Sequence, residues 1–219
     1  MRKTDTDQDI MIGLSAVDIA DISNSSAGGY LIILSGLPGT GKSYFAKQIS
    51  DVVPCAVVSS DRVRKALFVR PKYTREEHDR VFSVCHEIIK RLLTQSYKVV
   101  FDATNLNERF RKPLYDIANQ VQCPFTVVSV SAHLDIVTER LRLRMEADNS
   151  KDYSDADINV YNFLRNGRQS ISESHIKMIS PEDNARVVKE IISYFNSVDH
   201  FSNISVSYTH LTLPTILLV

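Results

Sequence analysis

Apolar residues along this chain fall into short unbroken runs that alternate with longer stretches of helical period. Leu31-Ile-Ile-Leu34 is the first such run; it ends in a glycine-rich turn followed by a helix over about residues 42–51. That helix must stop before Pro54, because the residue preceding a proline is driven out of the helical region. Ala56-Val-Val58 is a second buried strand, and Ser59-Ser-Asp-Arg-Val-Arg-Lys-Ala-Leu67 turns into a helix where it ends. Thr74-Arg-Glu-Glu77 is a capping box that opens a long helix to about Gln95. Val81, Val84, Cys85, Ile88, Ile89, Leu92 and Leu93 form its apolar stripe, and Arg75, Asp79, Arg80 and Lys90 lie on a face expected to be solvated.

The same alternation continues downstream. Lys98-Val-Val-Phe-Asp102 is a third strand, Asn107 a candidate cap for a helix over about 108–120, and Phe125-Thr-Val-Val-Ser-Val130 a fourth, β-rich strand. A helix follows over about 135–146, then the polar stretch Glu146-Ala-Asp-Asn-Ser-Lys-Asp-Tyr153, then a helix to about Gly167 capped from Ser154-Asp-Ala-Asp157. Ile176-Lys-Met-Ile179 is a weak fifth strand, and Ser180-Pro-Glu-Asp183 starts a last helix ending near Asn196, with proline at its first position. Strands that alternate with helices predict an α/β fold, a five-stranded parallel sheet covered on both faces in a three-layer αβα sandwich.

Three segments fit this scheme less directly. Residues 1–28 begin polar and end in Ser23-Asn-Ser-Ser-Ala-Gly-Gly29, the composition of a flexible arm before the domain of 29–198; within it Ile10 to Ile22 could form a short amphipathic helix, packed or disordered. Residues 140–168 have the make-up of a helical lid. The tail 199–219 is hydrophobic toward its end without a cap or periodic partner; from about 206 it resembles a non-native read-through peptide and is expected outside the fold, an edge strand being the alternative.

Composition narrows the classes. Lys plus Arg and Asp plus Glu are 26 each over 219 residues, so no global basic field draws the protein to nucleic acid or an anionic membrane, while a local basic groove stays open. Cys55, Cys85 and Cys123 lack C-x-x-C spacing and the six histidines lack ligand spacing, which fits free thiols in a reducing compartment rather than disulfides or zinc. With no run of ~18 apolar residues, the expectation is a cytoplasmic protein with no membrane partner.

The chemistry concentrates in Gly36-Leu-Pro-Gly-Thr-Gly-Lys-Ser-Tyr44, a G-x-x-x-x-G-K-S pattern between strand and helix. Gly36, Gly39 and Gly41 clear Cβ obstruction so that the amides of Leu37, Pro38-Gly39, Thr40 and the start of the helix can cradle phosphate oxygens (Pro38 itself donating none). Lys42 would reach the outer phosphates of ATP and the Ser43 hydroxyl would ligate Mg²⁺. Asp102, at the end of a buried strand, is the expected second partner of Mg²⁺, a turn or helix-start role being the alternative. Asp61 lies where a strand becomes a helix, the place where open α/β sheets put ligands, and Arg64 shares its face. Arg140 and Arg144, four apart, project together and either close over a triphosphate or are ordinary surface charge; Arg142 points away.

Over about residues 30–196 these blocks resemble the P-loop kinases typified by 5′-hydroxyl polynucleotide kinases, in the AAA-type ATP-binding group with zeta-toxin-like and gluconate-kinase-like members. Gly36–Ser43 matches the phosphate loop, Asp61-Arg-Val-Arg64 the D-x-x-R, Arg140 and Arg144 the lid's R-x-x-x-R, and Asp102-Ala-Thr-Asn-Leu-Asn-Glu-Arg109 the D-T-N-L-N-x-E-R segment with Ala103 as one extra residue. The resemblance implies a P-loop NTPase fold and transfer of the ATP γ-phosphoryl group to an acceptor hydroxyl. Asp61 is then general base, Arg64 the ligand of an acceptor-side phosphate, and Arg140 and Arg144 donor-phosphate contacts. The acceptor it implies is a nucleic-acid 5′ end. The alternatives are a small-molecule kinase (sugar, nucleoside or antibiotic) and an ATP-binding or ATP-hydrolysing regulator in which Asp61 only caps a helix.

Overall fold

The computed structural model describes residues 3–19, 28–146, 156–179 and 183–194. Helix α1 (Lys3–Ser15) and the two-residue strand β1 (Asp18–Ile19) come first, followed by β2 (Tyr30–Ser35), α2 (Lys42–Val52), β3 (Ala56–Ser59), α3 (Ser60–Leu67) and α4 (Arg75–Thr94). The chain continues through β4 (Lys98–Asp102), α5 (Glu108–Gln120), β5 (Phe125–Val130), α6 (Leu134–Glu146), α7 (Ile158–Asn166) and β6 (His175–Met178). A last helix, α8, spans 184–194. Part of the expected linker (20–27), the middle of the expected lid (147–155), the helix start at 180–182 and everything from 195 on, the tail included, lie outside the described residues.

All six residues of β2 are buried, as a strand covered on both faces requires. The sheet order is β1-β3-β4-β2-β5-β6. The five longer strands are parallel, as the alternation predicts, and β1 adds an antiparallel pairing on the β3 edge. Leu31 and Ile33 of β2 face one core with α4 and Leu114 of α5. Ile32 and Leu34 face the other, against Phe45 and Ile49 of α2 and Val187 and Ile191 of α8. Central β2 has β4 on one side and β5 on the other, so the chain leaves the sheet in opposite directions at its C-terminal end, opening a crevice there.

The N-terminal segment differs from the expected pattern. Its helix covers residues 3–15 rather than beginning at Ile10, and 18–19 are a strand. Ile10, 2% exposed, is buried in the α4-side core. At Gly13 an added Cβ would stand 2.7 Å from Val84 Cγ1, so only glycine allows this approach. Buried Asp9 accepts from Arg80 Nε and Nη2, both at 2.6 Å, which ties Arg80, still 40% exposed, to α1. At α4 the Thr74 hydroxyl accepts from Glu77 N at 3.3 Å, as the capping box requires. Asn107 occupies the N-cap position of α5 but makes no side-chain cap bond; its backbone carbonyl takes the Phe110 N–H at 3.0 Å, and Gln169 Oε1 accepts the Glu108 N–H at 2.9 Å. No helix among the described residues is long and apolar enough to cross a membrane.

The aromatic packing on α4 makes stability depend on pH. His86 lies edge-on to Phe82 and Phe101 at 6.0 and 6.5 Å, and burial pulls its pKa down to about 4. Between ~6.5 and that value the unfolded chain binds the proton and the native one does not. The contribution is therefore complete above ~6.5 and declines as pH falls. Urea denaturation at pH 7 and at pH 4.5 should show a loss for the wild type that shrinks by roughly 2 kcal/mol in His86→Phe; an equal loss in both would remove His86 as its source.

Candidate active site

The glycine-rich turn joins β2 to α2 in a conformation its sequence makes possible. Gly39 and Gly41 have φ of 76° and 101°, where a Cβ is strained. Gly36 is required by proximity: a Cβ would lie 2.3 Å from the Val130 carbonyl oxygen. The turn is tied from below by Gly36 N donating to Thr104 O at 3.0 Å. Thr40 Oγ1 donates to Leu37 O at 2.8 Å, and Lys42 Nζ donates to the same carbonyl at 3.0 Å. Leu37 and Pro38 are buried, whereas Tyr44 is 55% exposed.

Lys42 is buried, and burial holds its pKa below the ordinary lysine value against the attraction of Asp102 and Asp61; Arg144 adds a smaller push in the same direction as burial. Those three partners come from three segments, β4, α3 and α6, which the fold brings to one point. Asp102 ends β4 beside Ser59 of β3, and buried as it is, its carboxyl is raised in pKa by desolvation despite Lys42 and a hydrogen bond from Ser43. Asp61 is in the first turn of α3, whose N-cap is Ser59, so it is not the capping residue. The Ser43 hydroxyl and the Asp102 carboxylate are two hard oxygen donors already in contact, which suits Mg²⁺.

The turn after β4 is fastened by groups the sequence did not single out. Asn105, fully buried with φ 43°, donates from Nδ2 to Leu34 O at 2.8 Å. Its own carbonyl accepts from Ser35 Oγ at 3.1 Å and from Arg111 Nη1 at 2.9 Å. Arg111, 0% exposed, also reaches Ser170 O and Glu108 Oε2, both at 2.8 Å. A signal existed: Arg111, Leu114, Tyr115 and Ala118 share one helix face, and the last three are apolar.

Helix α6 brings the arginine pair to the turn. Arg140 Nη1 donates to Gly39 O at 3.2 Å, and Arg144 lies near enough to act on Lys42. Exposed Arg142 turns away and pairs with Glu139 and Glu146 at 2.8 and 2.6 Å. Val137 and Leu141 pack over Gly39, an added Cβ there falling 3.0 and 3.2 Å from them. Beside the turn a cavity of about 340 Å³ is lined by Thr40, His133, Tyr161, Arg165 and Arg168; the sequence reading named none of these apart from Thr40. On the other side Arg64, 5% exposed, leaves Nε and Nη1 without a hydrogen bond.

The profile of a family described as an AAA domain matches residues 31–166. L-seryl-tRNA(Sec) kinase of Methanococcus maripaludis is 26% identical over 115 residues, which are 50% of this chain and 44% of that protein; the match therefore spans less than half of this relative. Chaetomium thermophilum Kti12, solved with ADP-AlF3, superposes with a TM-score of 0.61 at 18% identity over 74% of this chain and 97% of that one. The Mycobacterium tuberculosis APS kinase CysC, solved with AMPPNP and APS, gives 0.58 at 15% identity over 76% and 97%. At such identities the likeness shows a shared fold.

Gly36→Ala should displace the turn, because the Val130 carbonyl that the methyl meets is backbone held within the sheet. The affinity for a fluorescent ATP analogue is expected to fall by at least about tenfold, roughly 1.4 kcal/mol. Unchanged affinity would mean that the turn does not hold the nucleotide.

Proposed function

Because the chain belongs to the AAA domain family of P-loop kinases, we propose that it is an ATP-dependent phosphotransferase acting on an acceptor hydroxyl, with a nucleic-acid 5′ end as the first acceptor to test. The observation that carries this reading is the convergence on Lys42 of Asp102, Asp61 and Arg144, with Arg140 on the turn itself. In this reading residues 29–198 form the kinase domain, with α6 and α7 as its lid. The turn of residues 36–44 holds the donor phosphates, though not through Gly36, whose N–H is spent on Thr104 O, or Pro38, which has none, and Lys42, Arg140 and Arg144 offset the charge that develops on the transferred group. Asp61 accepts the proton of the attacking hydroxyl, and Arg64 orients the acceptor. Ser43 and Asp102 would hold Mg²⁺, which supplies further neutralisation of the phosphates when bound.

The relatives' names point to hydroxyl acceptors of different size, seryl-tRNA(Sec) in one and APS in another. The balance of 26 basic and 26 acidic residues favours a second reading, a small-molecule acceptor, because a long polyanion is normally met by net positive charge. A regulator that binds ATP without transferring phosphate makes no use of Asp61.

The test is transfer from labelled ATP to 5′-hydroxyl oligonucleotides and to a panel of sugars and nucleosides. Asp61→Asn keeps side-chain size and removes the proton acceptor, so transfer should fall on the order of 10²-fold while ATP affinity holds. Wild-type transfer by this variant would overturn the general-base assignment. ATP hydrolysis that ignores every added acceptor would favour the regulator. Lys42→Ala should lower transfer more severely, since it removes the only side-chain cation of the turn.

A further inference from the structure

Asp61 rides on a helix too short to place it unaided. α3 has eight residues and its N-cap Ser59 makes no side-chain cap bond, and a helix of about two turns keeps its shape in water only through its neighbours. β3 runs into it without a loop, and α4 and α1 pack against it. Of these, β3 and α4 belong to the span that matches the family, 31–166, whereas α1 and β1 precede it.

The segment 3–19 holds α3 at its start, its middle and its end. At the start, β1 pairs Asp18 with Val57 and Ile19 with Ala56 of β3, and the Asp18 carboxylate accepts from Arg62 Nη1 and Nη2. In the middle, Gly13 stands where α1 meets α3 and α4. A Cβ there would lie 2.7 Å from Val84 Cγ1, 2.8 Å from Ile88 Cδ1 and 3.6 Å from Val63 Cγ1, so α1 comes this close only at a glycine. Arg62 and Val63 directly follow Asp61, and both holds therefore act within two residues of its carboxylate. At the end, Asp9, 4% exposed, takes Nε and Nη2 of Arg80 in a charge-assisted fork, both at 2.6 Å. Arg80 Cζ in turn lies 5.3 Å from the ring centroid of Phe68, the C-cap residue of α3. The phosphate turn is fastened separately, by Gly36 N on Thr104 O and by Thr40 and Lys42 on Leu37 O.

We infer that the segment 3–19 is a positioning element for the acceptor side of the site, with Asp9 and Gly13 as its positioning residues: it fixes α3, and so the Asp61 carboxylate, without acting on the phosphate turn. The inference rests on the phosphotransferase reading for its effect on rate and extends that reading to a segment outside the family's match. Proton transfer needs Asp61 within hydrogen-bond reach of the acceptor oxygen, and a displacement of about 1 Å caused by a distant change costs on the order of 10²-fold. A segment that only added stability would leave the rate per folded molecule unchanged.

The experiment uses the full chain with Asp9→Asn, Gly13→Ala and, as a control on the outer face of α1, Met11→Ala, at a residue 65% exposed. Asp18→Ala joins them because its carboxylate is 70% exposed, so that variant folds even where the buried ones do not. Hydrogen exchange of residues 60–68 and 36–52, affinity for an ATP analogue, and kcat with the acceptor that the wild type uses best are measured below each variant's melting temperature. In Asp9→Asn and Gly13→Ala the amides of 60–68 should exchange about tenfold faster and kcat should fall about tenfold or more, with 36–52 and ATP affinity unchanged. Asp18→Ala should show the same pattern at smaller size, and Met11→Ala none of it. Unchanged exchange in 60–68, acceleration spread equally over 36–52, or faster exchange with kcat intact would overturn the positioning role and leave the phosphotransferase reading standing. Acceleration confined to 60–68 in a protein whose wild type transfers to no acceptor would support the hold on α3 and overturn the kinase.

Discussion

Two opposite charges buried at the end of the central strands set the terms for the rest of the molecule. Lys42 attracts Asp102, yet burial outweighs that attraction on both sides: the lysine is pushed toward losing its proton and the aspartate toward gaining one. A buried pair whose desolvation exceeds its Coulombic gain does not stabilise a fold. It persists here because the backbone over-determines both positions. Lys42 is the first residue of a helix whose preceding glycine has φ 101°, and Asp102 is the last residue of a strand paired on both sides. In the reading proposed above, a polyphosphate and a divalent cation would supply further countercharges to this pair, so that binding them would relieve the cost of burying it.

The scaffold around that pair is tied across long sequence separations. Asn105 joins the ends of β2 and β4, and Arg111 joins that junction to the backbone at Ser170. Leu37, Leu106, Val137, Leu141 and Tyr161 form a small apolar cluster that seats α6 and α7 on the turn and on the loop after β4. Val137 and Leu141 of α6 lie directly over Gly39, so α6 and the turn share one packing contact.

What was legible in the sequence is what short-range rules control. The five parallel strands follow from apolar runs, α4 from Thr74 and its stripe, and the phosphate-type turn from glycine spacing; the position of Asp61 at a strand–helix junction follows from the same pattern. What was not legible depends on partners far away. Arg80 looks like a purely solvated residue until Asp9, 71 residues earlier, is brought to it. Asn107 has the residue type of a cap and makes no cap bond, while Gln169, 61 residues from Glu108, takes the first amide of that helix. Glu77 satisfies half of its motif and spends the other half on Lys72 and Tyr73. β1 is two residues long and carries no periodicity to find. The candidate site residues follow from motif and place; that burial is the largest influence on the pKa of both Lys42 and Asp102 follows only from their setting in the fold.

That short strand has a further consequence. β3 would otherwise be the open border of the sheet, four buried residues with one row of peptide groups unclaimed. Such borders recruit other chains. β1 lays Asp18 and Ile19 along Val57 and Ala56 in the opposite direction, and the Asp18 carboxylate is held by Arg62 of the adjoining helix. The segment ahead of the family's matched span thus works as a selvedge, finishing the woven edge of β3 at Ala56 and Val57.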